Sequence, residues 1–222
     1  MHLIDFPTSF SLLTLCLILG VVALLAAITW APWRALLAVS TRQHIYFAAI
    51  LCLVLLWNMN ITWVHGLVVH PFGITAVTVI FGWHLAVLAG FSALVAYTLM
   101  HHGLWHDFPL DFFLTVLIPA SVTYLVEALI LRHRSTNLFL FLLGSGYVGA
   151  LLGLLTSVLC VLLLTYLMDQ TLLLQRLWHE IVVLVMFMNA EGFLNGVAVA
   201  AMTVFAPDLV KTFDNRKYLG EK

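Results

Sequence analysis

Phe72-GITAVTVIFGWHLAVLAGFSALVAYTL-Met100 is the stretch that decides how this chain folds. It contains no Lys, Arg, Asp or Glu. As one helix, its 29 residues would reach about 43 Å, more than one crossing of a bilayer needs, whereas two full crossings need about 60 Å. Gly73, Gly82, His84 and Gly90 interrupt it. The stretch therefore divides into a segment near Phe72–Phe81 and another near Trp83–Met100, at least one of them short. A short helix facing lipid would leave backbone groups unpaired, so this one must lie inside a bundle.

The rest of the chain sets that bundle in a membrane. Of 222 residues, 64% are hydrophobic and 9% charged, with a mean hydropathy of +1.11. So few charges cannot clothe a soluble enzyme, a disordered chain or a nucleic-acid-binding domain. Further apolar runs cover Ser11–Ala31, His44–Trp57, Phe112–Leu131, Leu138–Met168 and Ile181–Phe205. Asp5 and the lack of a preceding Lys or Arg argue against a signal peptide at the first run.

Charge parity supplies the reason for the division. Arg34 and Arg42 place the first connection in the cytoplasm and the N-terminus outside. Arg132 and Arg134, and then Lys211, Arg216 and Lys217, should also be inside. Six simple crossings put Arg132 on the wrong side. Seven crossings, with residues 72–100 split, put every basic cluster except Arg176 in the cytoplasm. The expected fold is all-α: a polytopic transmembrane bundle of about seven helices, one short or discontinuous. Residues 1–222 form one transmembrane domain, with 1–10 as an extracytoplasmic metal-binding segment and 206–222 as a cytoplasmic tail.

Ten histidines outnumber the nine Lys and Arg. Met1-His2 offers an amine, an amide nitrogen and an imidazole nitrogen that can close fused chelate rings. Such a donor set suits Ni(II) and Cu(II), with Co(II) also accommodated. His65 and His70 lie in the next outer loop, Ile61-TWVHGLVVHPF-Gly73, where Pro71 fixes the chain beside His70. That pair reads either as metal donors or as interfacial residues satisfying backbone groups. His84 lies within a span and reads as structural. His101, His102 and His106 accompany Asp107 and Asp111 in a loop, for which solvation is the plainer account. His44, His133 and His179 read as membrane-boundary residues.

Polar residues in the last span, Glu191 and Asn195, are spaced i,i+4 and share a helical face. They read as a helix-packing latch or as part of an ion path. Asn58 and Asn60 are further latch candidates, and Gly144, Gly146 and Gly149 permit close helix packing. Cys16, Cys52 and Cys160 lack metal-site spacing and read as buried thiols. No Walker A motif occurs, so any ATP hydrolysis belongs to another subunit.

Met1-His2-Leu3, His70-Pro71-Phe72-Gly73 followed by Phe81-Gly82, and the ending Glu191-Gly192-Phe193-Leu194-Asn195-Gly196 resemble, in order and spacing, permeases of the CbiM/NikM kind. These are substrate-binding membrane components of energy-coupling factor importers for cobalt and nickel. The resemblance implies seven helices, an outward N-terminus, no catalytic activity, and a coupling membrane protein with a cytoplasmic ATPase pair as partners. It implies a square-planar nitrogen site made by the Met1 amine, the His2 amide nitrogen, the His2 imidazole and His70. Asp5 persists from the usual acidic-glycine opening, but its glycine does not. Gly66-Leu67-Val68-Val69 replaces a hydroxyl-rich approach to the histidine, and His65 adds a donor.

The expected function is capture of a divalent transition metal at the outer face of a bacterial inner membrane. Nickel or cobalt is the expected substrate; copper is admitted by the amide donor. The alternative is a stand-alone membrane metal-binding or assembly protein without ATP-driven transport.

Overall fold

The computed structural model describes residues 2–3, 10–59, 61–62, 67–101, 105–132 and 137–213. In chain order the elements are β1 (His2–Leu3), α1 (Phe10–Trp30), α2 (Trp33–Leu37), α3 (Ser40–Asn58), β2 (Ile61–Thr62) and β3 (Leu67–Val69). They continue with α4 (Ile74–Phe81), α5 (Trp83–Met100), α6 (Phe108–Arg132), α7 (Leu138–Leu167), α8 (Thr171–His179) and α9 (Ile181–Phe205). Six of these helices, α1, α3, α5, α6, α7 and α9, are long and apolar enough to cross a membrane. The protein is a polytopic helical membrane bundle with one discontinuous segment.

That segment is where the length arithmetic places it. α4 has eight residues and buries all of them. At about 12 Å it covers less than half the hydrocarbon thickness. Gly82 then turns the chain, with φ +83° and ψ 163°, a backbone region closed to residues with a Cβ. Ile74 and Gly90, each eight residues from Gly82, meet face to face: a Cβ on Gly90 would lie 3.0 Å from Ile74 Cδ1. α4 and α5 thus form an antiparallel hairpin around one glycine. Tyr46 of α3 braces the corner, its hydroxyl donating to Leu85 O at 3.0 Å and its ring meeting Phe81.

Two long helices widen locally. α6 passes into π geometry over Phe113–Leu117, just before Pro119. Proline has no N–H and crowds the preceding turn, and the wider turn makes room for it. The Ser157 hydroxyl of α7 donates to the Leu114 carbonyl at 2.8 Å and so satisfies a group that the proline cannot. α7 widens over Leu142–Val148. There Gly146 sits against Gly196 of α9, where a Cβ would come within 2.9 Å of the opposing Cα. This is the close packing expected of the glycine cluster.

β1, β3 and β2 form a small antiparallel sheet at one end of the bundle, in the order β1-β3-β2. An all-helical reading does not foresee it, because strands of two or three residues carry no legible alternation. Cys52 also departs from expectation: it is exposed on the outside of the bundle, whereas Cys16 is buried.

Candidate metal centre

The site grows from the N-terminal end of α4. An α-helix begins with backbone N–H groups that have no intrahelical acceptor, and here they are buried. α9 supplies the missing acceptors. Glu191 Oε2 accepts from Phe72 N at 3.0 Å, and Glu191 Oε1 accepts from Gly73 N at 2.8 Å. Asn195 Oδ1 accepts from Ala76 N at 2.8 Å, while its Nδ2 donates to Glu191 Oε1 at 2.7 Å. One helical turn of α9 therefore caps α4 from across the bundle, and the carboxylate faces the positive end of the helix dipole. Of the two readings of Glu191 and Asn195, the packing latch describes this geometry. The glycine at the helix start has φ +66°, and a Cβ there would crowd Leu56 and Leu53.

The other side of the Phe72 peptide is held from α3. Trp57 is fully buried, and its Nε1 donates to Phe72 O at 3.0 Å. His70, two residues upstream, is only 4% exposed. Its ring lies among Trp57 at 5.6 Å, Phe72 at 5.7 Å and Tyr97 at 6.2 Å between centroids. An aromatic wall of this kind limits the directions from which a ligand reaches the imidazole. Tyr97 stacks in turn near His101, at 4.5 Å, and His101 Nε2 lies 2.7 Å from Asn58 Oδ1. Asn58 also donates to Val54 O at 2.7 Å. It is the latch expected of it, and His101 is its partner.

The N-terminal segment approaches the same place through its backbone. β1 pairs antiparallel with β3, His2 opposite Val68 and Leu3 opposite Leu67. Going from Leu3 to His2, the pairing moves toward His70. Met1, His65, Asn60, His102 and His133 lie outside the described residues. His84 is partly buried and meets the edges of Trp83 and Trp30 at 5.2 and 6.4 Å, an environment that fits its structural reading. Among the described residues, no three His, Cys, Asp and Glu side chains gather in a way that would hold a metal ion. One buried acid escapes the sequence reading altogether: Glu127 of α6, 4% exposed.

A membrane-type bundle with a short, fully buried helix inside it and a buried histidine just before that helix has the architecture of a membrane-embedded recognition component of a transporter. The family described as "CbiM: Cobalt uptake substrate-specific transmembrane region" matches residues 8–209, and the chain belongs to that family. No curated protein and no solved structure matches the chain. The protein is a membrane permease and substrate-binding component for metal uptake, of the cobalt and nickel kind, and membership implies energy-coupling factor partners. Nothing in the family description points to copper.

Proposed function

We propose that the chain captures Ni(II) or Co(II) at the outer face of a bacterial inner membrane and hands it to an ATP-driven import complex. The donors in this reading are the Met1 amine, the His2 amide nitrogen, the His2 imidazole and His70, with His65 as a flanking donor. The observation that carries it is the β1–β3 register, which brings the backbone of His2 opposite Val68, two residues from buried His70. Two residues of extended chain span about 7 Å, a gap that two imidazole side chains meeting at one ion can close. Three nitrogens from the chain's first residues leave one position of a planar site for a further histidine, and planar nitrogen donors favour late first-row divalent ions.

In this reading the clamp on Phe72 gives the site its rigidity. Glu191 fixes the amide before Phe72, Trp57 fixes the carbonyl after it, and His70 hangs from the same short segment. The chain itself hydrolyses nothing; a coupling membrane protein and a cytoplasmic ATPase pair supply the energy. The N-terminus faces outward and the C-terminus inward, as the positive charges require.

Titration of the purified chain with Ni(II) and Co(II) tests the proposal. His2→Ala, His70→Ala and a form with one extra N-terminal residue should each bind at least about a hundredfold more weakly. Parent-like affinity in all three removes the site. A C-terminal reporter should be active in the cytoplasm, and an outside-facing result would overturn the sidedness.

A further inference from the structure

Among the described residues, two buried side-chain atoms have no hydrogen-bond partner: Glu127 Oε1 and Ser145 Oγ. Glu127 is 4% exposed and Ser145 1%. They belong to neighbouring helices, α6 and α7. Gly149 faces Thr123, and Gly144 faces Ile130, so the two helices run antiparallel there. The same register sets Ser145 at the level of Glu127. A carboxylate oxygen and a hydroxyl, both unpartnered at one level of an apolar interior, need a ligand to complete them.

Their place in the bundle suggests which ligand. Glu191 and Asn195 cap the start of α4. The hydroxyls of Thr75 and Thr123 pair at 2.9 Å beside that same start. Glu127 and Ser145 follow. Beyond them the segment after α9 folds under α4: Lys211 N donates to Ile80 O at 2.8 Å, and the Thr212 hydroxyl to Val79 O at 2.9 Å. Lys211 and Thr212 of this segment are the groups that bear on Glu127 from the tail end. A file of polar groups thus runs beside α4 from the histidine end to the tail end.

We infer that Glu127 and Ser145 form an inner, oxygen-donor station for the divalent cation captured at the nitrogen-donor site. This inference rests on the capture reading above. Oxygen donors hold nickel and cobalt far less tightly than planar nitrogens do. A station on the way out must bind weakly enough to release. A carboxyl group buried in a span needs a partner before it can carry charge, and an arriving cation supplies one.

Cells whose own copy of the gene carries each variant, with all native partners present, provide the test. Radioactive cobalt uptake is measured beside Co(II) affinity of the purified chain. Glu127→Gln should leave affinity within about twofold and lower uptake about tenfold or more, and Glu127→Asp should recover part of it. Thr212→Val cuts the tail contact while sparing the unpartnered oxygen, and should keep most uptake. The station is overturned if Glu127→Gln takes up cobalt like the parent, or if it loses affinity and uptake together. It is also overturned if Thr212→Val reproduces the full loss, because Glu127 then only anchors the tail. Should Glu127→Gln fail to accumulate, Ser145→Ala decides: parent-like uptake removes the station. If His70→Ala keeps both affinity and uptake, the capture reading falls.

Discussion

α4 and α5 come from one uninterrupted apolar stretch, yet they solve opposite problems. α5 has 18 residues, and Ser92, Leu99 and Met100 are exposed on its outer face. α4 has eight residues, none of them exposed. A long helix carries its ends toward the membrane surfaces, where water satisfies them. A helix of about 12 Å ends inside the bundle, so each end needs a protein partner. α9 and its extension provide both: Glu191 and Asn195 at the start, the Lys211 amide and the Thr212 hydroxyl at the finish. Apolar composition puts a segment in the membrane. The acceptors and donors available at its ends decide how short it can be.

The largest effect should come from removing the cap. Glu191→Ala leaves the Phe72 and Gly73 amides buried and unpaired, at about 1–3 kcal/mol each. The variant should unfold at a markedly lower temperature in detergent and lose metal binding with it. Normal stability would mean that α4 does not depend on α9. Next comes the hinge between the two helices. Gly82→Ala forces a Cβ into a glycine-only conformation and within 2.7 Å of Lys211 Nζ. The backbone strain alone is about 1–3 kcal/mol. Thermal unfolding should register that loss, and an unchanged midpoint would show that the hairpin turns elsewhere.

Much of this contrast was legible in the sequence. Twenty-nine residues are too many for one crossing and too few for two, and Gly73 and Gly82 mark where the stretch breaks. Those facts together locate α4 almost to the residue. The i,i+4 spacing of Glu191 and Asn195 marks a polar face in a helix, but not its target, which lies about 119 positions away. Long-range partners of this kind leave no local periodicity. Glu127 escapes notice because it lies near Arg132, where a charged residue at a helix end is ordinary. The sheet is too short to pattern. Its register nevertheless matters most for the metal proposal, since it sets the backbone of His2 opposite Val68, two residues from His70.

Trp57 separates rigidity at the site from stability of the fold. Trp57→Phe keeps an aromatic wall beside His70 but removes the donor to Phe72 O. Polar contacts between membrane helices contribute about 0.6 kcal/mol on average and reach about 1.7 kcal/mol. The loss of stability should therefore be near 1 kcal/mol, with affinity for Co(II) falling about three- to tenfold because the carbonyl side of Phe72 is released. Equal affinity in the variant would assign the positioning of His70 to Glu191.

The smallest effect belongs on the lipid side of α5. Ser92 is exposed, and its hydroxyl donates to Leu88 O within its own helix at 2.9 Å. Replacing it with alanine deletes a local bond that competes with helical backbone pairing, and it leaves no buried group without a partner. Ser92→Ala should change stability by less than about 0.5 kcal/mol and leave metal binding at the parent value. A hydroxyl in α4 has no such freedom, because Thr75 is buried against Thr123 and its removal orphans a partner. If Ser92→Ala proved as costly as Thr75→Val in the same thermal assay, exposure would not be what distinguishes the two helices. The outer face of α5 would then be an interface rather than a surface wetted by lipid.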